Sequence, residues 1–86
     1  MSYLVEYEPE ALVSLERLTL VVRKRIISKI IWLAENFDQI TPQPLTRDLS
    51  GFYKLIVGDY RVIYDFNTEE RIITIDKIGH RREIYQ

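Results

Sequence analysis

The sequence predicts an α+β fold, with two helices packed on one face of a four-stranded, twisted antiparallel sheet, and three observations predict it. The chain has 86 residues, enough for one domain with a modest core. Between Val22 and Phe37 the apolar residues recur every three or four positions, whereas after Gly51 they alternate with period two. No repeat, low-complexity tract or interdomain linker interrupts this order, so residues 1–86 are expected to form a single domain.

Each element has a local reason. Tyr3 to Tyr7 alternates apolar and polar residues and suits a short strand. Glu8-Pro9-Glu10 then opens a helix, with Pro in the first turn and acids at the positive end of the helix dipole. That helix should run from Pro9 to Leu18. A second should run from Leu20 to Phe37, with Val22, Ile26, Ile30, Leu33 and Phe37 on its buried stripe. Thr41-Pro42-Gln43-Pro44 cannot continue a helix and is expected as loop. Phe52 to Val57, Tyr60 to Phe66 and Arg71 to Lys77 form an antiparallel meander.

The turns fix the expected register. Gly58-Asp59 is a two-residue loop with Gly first, as a type II′ turn wants. It pairs Val57 with Tyr60, Leu55 with Val62 and Tyr53 with Tyr64. A four-residue loop, Asn67 to Glu70, pairs Phe66 with Arg71, Tyr64 with Ile73 and Val62 with Ile75. These side chains share the face under the helices. Lys54, Ile56, Arg61, Ile63, Thr74 and Asp76 take the opposite, open face. Lys54 and Arg61 then become diagonal neighbours, roughly 7–8 Å apart. The same register sets Asp76 directly across from Arg61, as a cross-strand ion pair.

Composition narrows the chemistry. Apolar residues make up 47% of the chain, which fits a packed core. There is no Cys, so disulfides and thiolate metal sites are excluded and a reducing compartment fits. The start, Met1 to Glu10, has neither a basic segment nor a long apolar run, so no signal peptide or membrane span is expected and a cytoplasmic location is. Twelve Lys and Arg against 13 Asp and Glu leave a net charge of −1, unlike a free-standing nucleic-acid binder. Local clustering still sets the field at a site.

One constellation can carry chemistry. After the last strand, Gly79 permits a change of direction, and His80, Arg81, Arg82 and Tyr85 follow within a few residues. Folded back along the edge of the open face, they would join Lys54 and Arg61. Arg grips phosphate oxygens through a fork, His exchanges protons near neutral pH, and Tyr stacks on bases. The single His and the scattered acids Asp48, Asp59 and Asp76 form no metal-ligand pattern, and no phosphate-binding Gly-rich loop is present. No cofactor is expected. Arg23, Lys24, Arg25 and Lys29 cluster on the second helix, where a plain solvated face is the expectation.

Asp48 to Leu55, Val57 to Tyr64 and Ile78 to Tyr85 together resemble the core pattern of the RelE branch of the RelE/ParE toxin superfamily. The resemblance spans nearly the whole chain and implies a toxin of a type II toxin–antitoxin system. Its implied partners are an antitoxin, the ribosome and messenger RNA. The implied reaction is metal-independent cleavage in the ribosomal A site, by attack of a ribose 2′-hydroxyl on the adjacent phosphate. By position, Lys54 activates the hydroxyl or stabilises the phosphorane, Arg61 holds the phosphate, Arg81 stands near the leaving oxygen and Tyr85 stacks on a base. Two departures stand out. Ile56 occupies the place of a second lysine, and the acid nearest to a glutamate base found in some relatives is Asp48. His80 is then either a compensating general acid or a surface residue of the tail. Trp32 is expected in the core or facing the antitoxin. The ParE branch, which inhibits DNA gyrase without catalysis, and an inactive antitoxin-binding relative are the alternatives.

Overall fold

The computed structural model describes residues 2–46 and 49–84. The chain runs β1 (Leu4–Tyr7), α1 (Pro9–Glu16), α2 (Leu20–Asn36), a 3-10 turn (Phe37–Gln39), β2 (Gln43–Pro44), β3 (Tyr53–Val57), β4 (Tyr60–Asn67) and β5 (Ile72–His80). The sheet order is β1-β5-β4-β3-β2, with β1 parallel to β5 and the other pairs antiparallel. The sheet therefore has five strands rather than four. The fifth, β2, is two residues of the expected Pro-rich loop, lying on the outer edge where Pro44 need not donate to a ladder.

The helices start and stop for local reasons. Pro9 stands in the first turn of α1. Thr19 caps α2 by accepting the Val22 N–H at 3.4 Å. Arg23 Nη2 reaches back to the carbonyls of Glu16 and Leu18 and satisfies the end of α1. Ile26, Ile30, Leu33, Ala34 and Phe37 bury the expected stripe of the second helix against Val62, Tyr64, Ile73, Ile75 and Ile78. Phe37 lies 4.7 Å from both Tyr3 and Phe66, centroid to centroid, in tilted and edge-on contacts that add about 0.5–1.5 kcal/mol each beyond area burial.

The β3–β4 hairpin has the expected register, from Val57↔Tyr60 to Tyr53↔Tyr64, and Gly58 takes φ 59° as its turn requires. The β4–β5 register differs. The loop is Thr68 to Arg71, closed by Arg71 at φ 56°, so Asn67 pairs with Ile72 and Tyr64 with Ile75. A bulge then follows between Ile63 and Tyr64, and beyond it Ile63 pairs with Lys77, Val62 with Ile78, Arg61 with Gly79 and Tyr60 with His80. An extra residue in one strand exchanges the faces of everything after it. Ile75 and Ile78 consequently both face the core, three positions apart. Asp76 is displaced from Arg61, and the expected ion pair between them does not form. The last strand also continues through Gly79 to His80, and the chain turns only at Arg81 to Ile84.

Candidate functional site

The open face of the sheet divides by charge. At the end near the Gly58-Asp59 turn, Lys54 lies opposite Ile63 and Arg61 opposite Ile56, so Lys54 and Arg61 are diagonal neighbours as the sequence indicates. The bulge adds a third cation. Lys77 pairs with Ile63 from the other side and stands diagonal to Arg61 across β4–β5. Backbone geometry sets each diagonal at roughly 7–8 Å, within joint reach of one phosphodiester. Lys77 is the residue that sequence reasoning missed. Lys77 received no face in the sequence analysis; alternation from Ile73 and Ile75 points it under the helices, and only the bulge brings it out.

Arg61 occupies a distinctive position. Its Nε and Nη1 atoms are shielded from water and meet no acceptor among the described residues. Opposite it, Gly79 allows the tail to fold back: a Cβ there would lie 2.9 Å from Ile84 Cγ1 and 3.0 Å from its Cδ1. The Glu83 and Ile84 N–H groups both donate to the His80 carbonyl, at 2.8 and 3.2 Å, and fix this turn. Ile84 thus covers the sheet at Gly79, beside Arg61. A guanidinium with shut-away, unpartnered donors is costly to keep and is matched by an incoming anion.

The other predicted residues separate. Arg81 stands at the rim of the basic end, where its N–H donates to the Asp59 carbonyl at 2.8 Å and its Nε lies 3.9 Å from Asp59 Oδ1. Both side chains are largely exposed, so this pair leaves Arg81 available to a stronger anion. His80 is not brought to Arg61. It pairs with Tyr60 on the helix side of the sheet, ring against ring at 5.5 Å, and its Nδ1 accepts the Arg82 N–H at 3.2 Å. Tyr85 and Asp48 lie outside the described residues.

The far end of the open face is acidic. Asp76 sits at the bulge with its Oδ2 buried and without a hydrogen-bonding partner, and Asp65 and Glu8 are its charged neighbours. Burial, then the Asp65 carboxyl, then Glu8 push the Asp76 carboxyl up to about 7. Among the described residues, no group of three or more His, Asp or Glu is placed to hold a metal ion, and no helix is long and apolar enough to cross a membrane.

Comparison with known proteins places the fold and the family. Over about half of each chain (44 residues, 51% of both), the sequence is 34% identical to toxin RelG of Mycobacterium tuberculosis. The fold superposes on a chain of the M. tuberculosis RelBE2 toxin–antitoxin complex with a TM-score of 0.84 at 23% identity, covering 94% of this chain and 93% of that one. For a chain of the Pyrococcus horikoshii RelE–RelB complex the TM-score is 0.75 at 26% identity, covering 98% and 100%. For a free double mutant of Escherichia coli RelE it is 0.78 at 22%, covering 96% and 87%. The family model for the ParE toxin of type II toxin–antitoxin systems, parDE, matches residues 5–85. This chain therefore belongs to the ParE toxin family of type II toxin–antitoxin systems, within the RelE/ParE superfamily.

Proposed function

We propose that this toxin cleaves messenger RNA in the ribosomal A site, using the basic end of its open sheet face. The observation that carries this reading is Arg61, a half-buried guanidinium with two unpartnered donors, flanked in register by Lys54 and Lys77. Three cations around one point suit a phosphate that gains negative charge on the way to a pentacoordinate phosphorane. The ribose 2′-hydroxyl loses its proton and bonds to the adjacent phosphorus. The bond to the 5′-oxygen of the next nucleotide breaks, leaving a 2′,3′-cyclic phosphate, and the departing oxygen takes up a proton. Lys54 favours the ionised 2′-oxygen, Arg61 holds the non-bridging oxygens, and Lys77 supplies the charge that Ile56 does not. Arg81 at the rim stabilises the leaving oxygen, and Tyr85 stacks on a neighbouring base. His80 is given no proton-transfer role, because its ring lies against Tyr60 on the other face.

Solved relatives in complexes of toxin and antitoxin support an antitoxin as the regulatory partner. The cleavage reading is tested on ribosomes stalled over a defined codon. Wild-type protein should cut the messenger in the A site, and a messenger carrying a single 2′-deoxyribose at that position should stay intact. Cleavage of the deoxy messenger would refute the mechanism. The ParE family match favours keeping a second reading, non-catalytic inhibition of DNA gyrase. Intact messenger together with blocked supercoiling would select it.

A further inference from the structure

His80 is the hub of the turn that carries the tail back over the sheet. Its N–H donates to Glu83 Oε1 at 3.2 Å, and its carbonyl accepts the Glu83 and Ile84 N–H groups. The ring closes the turn as well, because Nδ1 accepts the Arg82 N–H at 3.2 Å. A side-chain acceptor bonded to the N–H two residues on is the pattern by which Asn and Asp close turns. An imidazole copies it in one state only. Nδ1 must keep its lone pair, so the ring must be neutral with its proton on Nε2. Tyr60 meets the ring edge-on, with 5.5 Å between centroids and 76° between planes, and steadies it. His80 is partly exposed, so solvent protons reach it. The turn matters to the open face. It seats Ile84 at Gly79, beside Arg61, while the Arg81 N–H rests on the Asp59 carbonyl.

We propose that His80 is a positioning residue for the tail and acts as a proton-sensitive latch, closing the turn beside Arg61 when neutral and releasing it when protonated. On acidification Nδ1 takes a proton from solvent and becomes a donor. It then faces the Arg82 N–H donor to donor, and that hydrogen bond breaks. Because the closed turn accepts only the neutral ring, its order is complete at high pH and falls as the pH drops through the range in which imidazoles charge. The titratable and charged groups placed around the ring are Tyr60 of β4, Glu83, Arg81 and Arg82 of the tail, Asp59 of the β3–β4 turn, and Arg25 of α2 over Gly58. Glu83 also holds the turn, and a carboxylate ordinarily takes its proton roughly two pH units below an imidazole, so the two are separable.

His80 is the only histidine, so nitrogen NMR of the full-length toxin reads its ring without overlap. At about pH 7.5 the proton should be on Nε2 and Nδ1 should be bare. Amide exchange supplies the second readout. Between about pH 7.5 and about pH 5.5, the protection of the Arg82, Glu83 and Ile84 amides, taken relative to their intrinsic rates, should fall about tenfold. The Ile73 and Ile75 amides in the buried part of β5 should keep theirs, which separates a local opening from unfolding. His80→Asn supplies the same acceptor without titrating, and should hold the turn at both pH values. His80→Ala should lack the protection at both. A proton on Nδ1 at about pH 7.5, pH-independent protection in the wild type, or wild-type protection in His80→Ala would overturn the proposal. A loss of protection in His80→Asn equal to that of the wild type would overturn it too, by assigning the change to Glu83. The consequence for cleavage rests on the reading of the open face: the wild-type rate, relative to that of His80→Asn, should fall several-fold over the same range. The expected exchange pattern without any cleavage would uphold the latch and refute that reading.

Discussion

Arg61 concentrates the account at the residue scale, because its burial without a partner and its position between two lysines point to the same ligand. Replacing it with Ala should lower cleavage of ribosome-bound messenger by about 10³-fold, the scale of losing one preorganised charge at a phosphoryl centre. Lys77→Ala should cost about tenfold and Lys77→Arg much less, since the position supplies charge at a diagonal rather than the central fork. Lys54 and Arg61 were legible in the sequence because a two-residue Gly-first turn admits one register. Lys77 was not, because no residue pattern announced the bulge beside Tyr64. The same bulge explains the misplaced Asp76. Its carboxyl, raised to about 7 by burial and by Asp65 and Glu8, is held protonated more firmly in the folded chain than in the unfolded one. The folded state therefore gains from this group below the unfolded value near 4 and loses that gain as the pH rises through 7. Asp76→Asn should leave stability at pH 4 nearly unchanged and raise it at pH 8. Discounted for the solvent that reaches the pair, the gain is on the order of 1 kcal/mol, several degrees in a thermal melt. A melt of the variant that matches wild type at pH 8 would contradict this.

At the scale of elements, the tail is tied to the sheet by a few identifiable contacts. Ile84 rests where a side chain on Gly79 would stand, and two N–H groups share the His80 carbonyl. Gly79→Ala should push Ile84 off the sheet and uncover Arg61. The expected outcome is faster amide exchange at Glu83 and Ile84, with a change in global stability below about 1 kcal/mol, because so little apolar area is involved. Unaltered exchange would show that the turn is held by something else. The α2 stripe and the β3–β4 hairpin could be foreseen, since each followed from a periodicity or a turn residue, whereas the β4–β5 hairpin was foreseen as a hairpin but not in its register, because its loop closes one residue later, at Arg71. The end of β5 could not. Gly79 suggested a change of direction, but its absent side chain serves a close approach inside a strand, and the chain turns two residues later. His80 was carried to the wrong face by that early turn.

For the whole molecule, a net charge of −1 conceals strong segregation. Lys54, Arg61 and Lys77 hold one end of the open face, Asp65, Asp76 and Glu8 the other, and Lys24, Arg25 and Lys29 line a groove on the helix side. Total charge argued against RNA, and only the folded arrangement gathers the cations into the patch on which the proposed RNA cleavage rests. Ribosome association should accordingly fall steeply with salt even though the chain is slightly acidic. The most direct test of the account is the single-turnover rate at which ribosome-bound messenger is cut by wild-type toxin and by Arg61→Ala. The wild type should cut rapidly in the A site, and the variant about 10³-fold more slowly. Equal rates for the two proteins, or no cleavage by the wild type at saturating concentration, would contradict it.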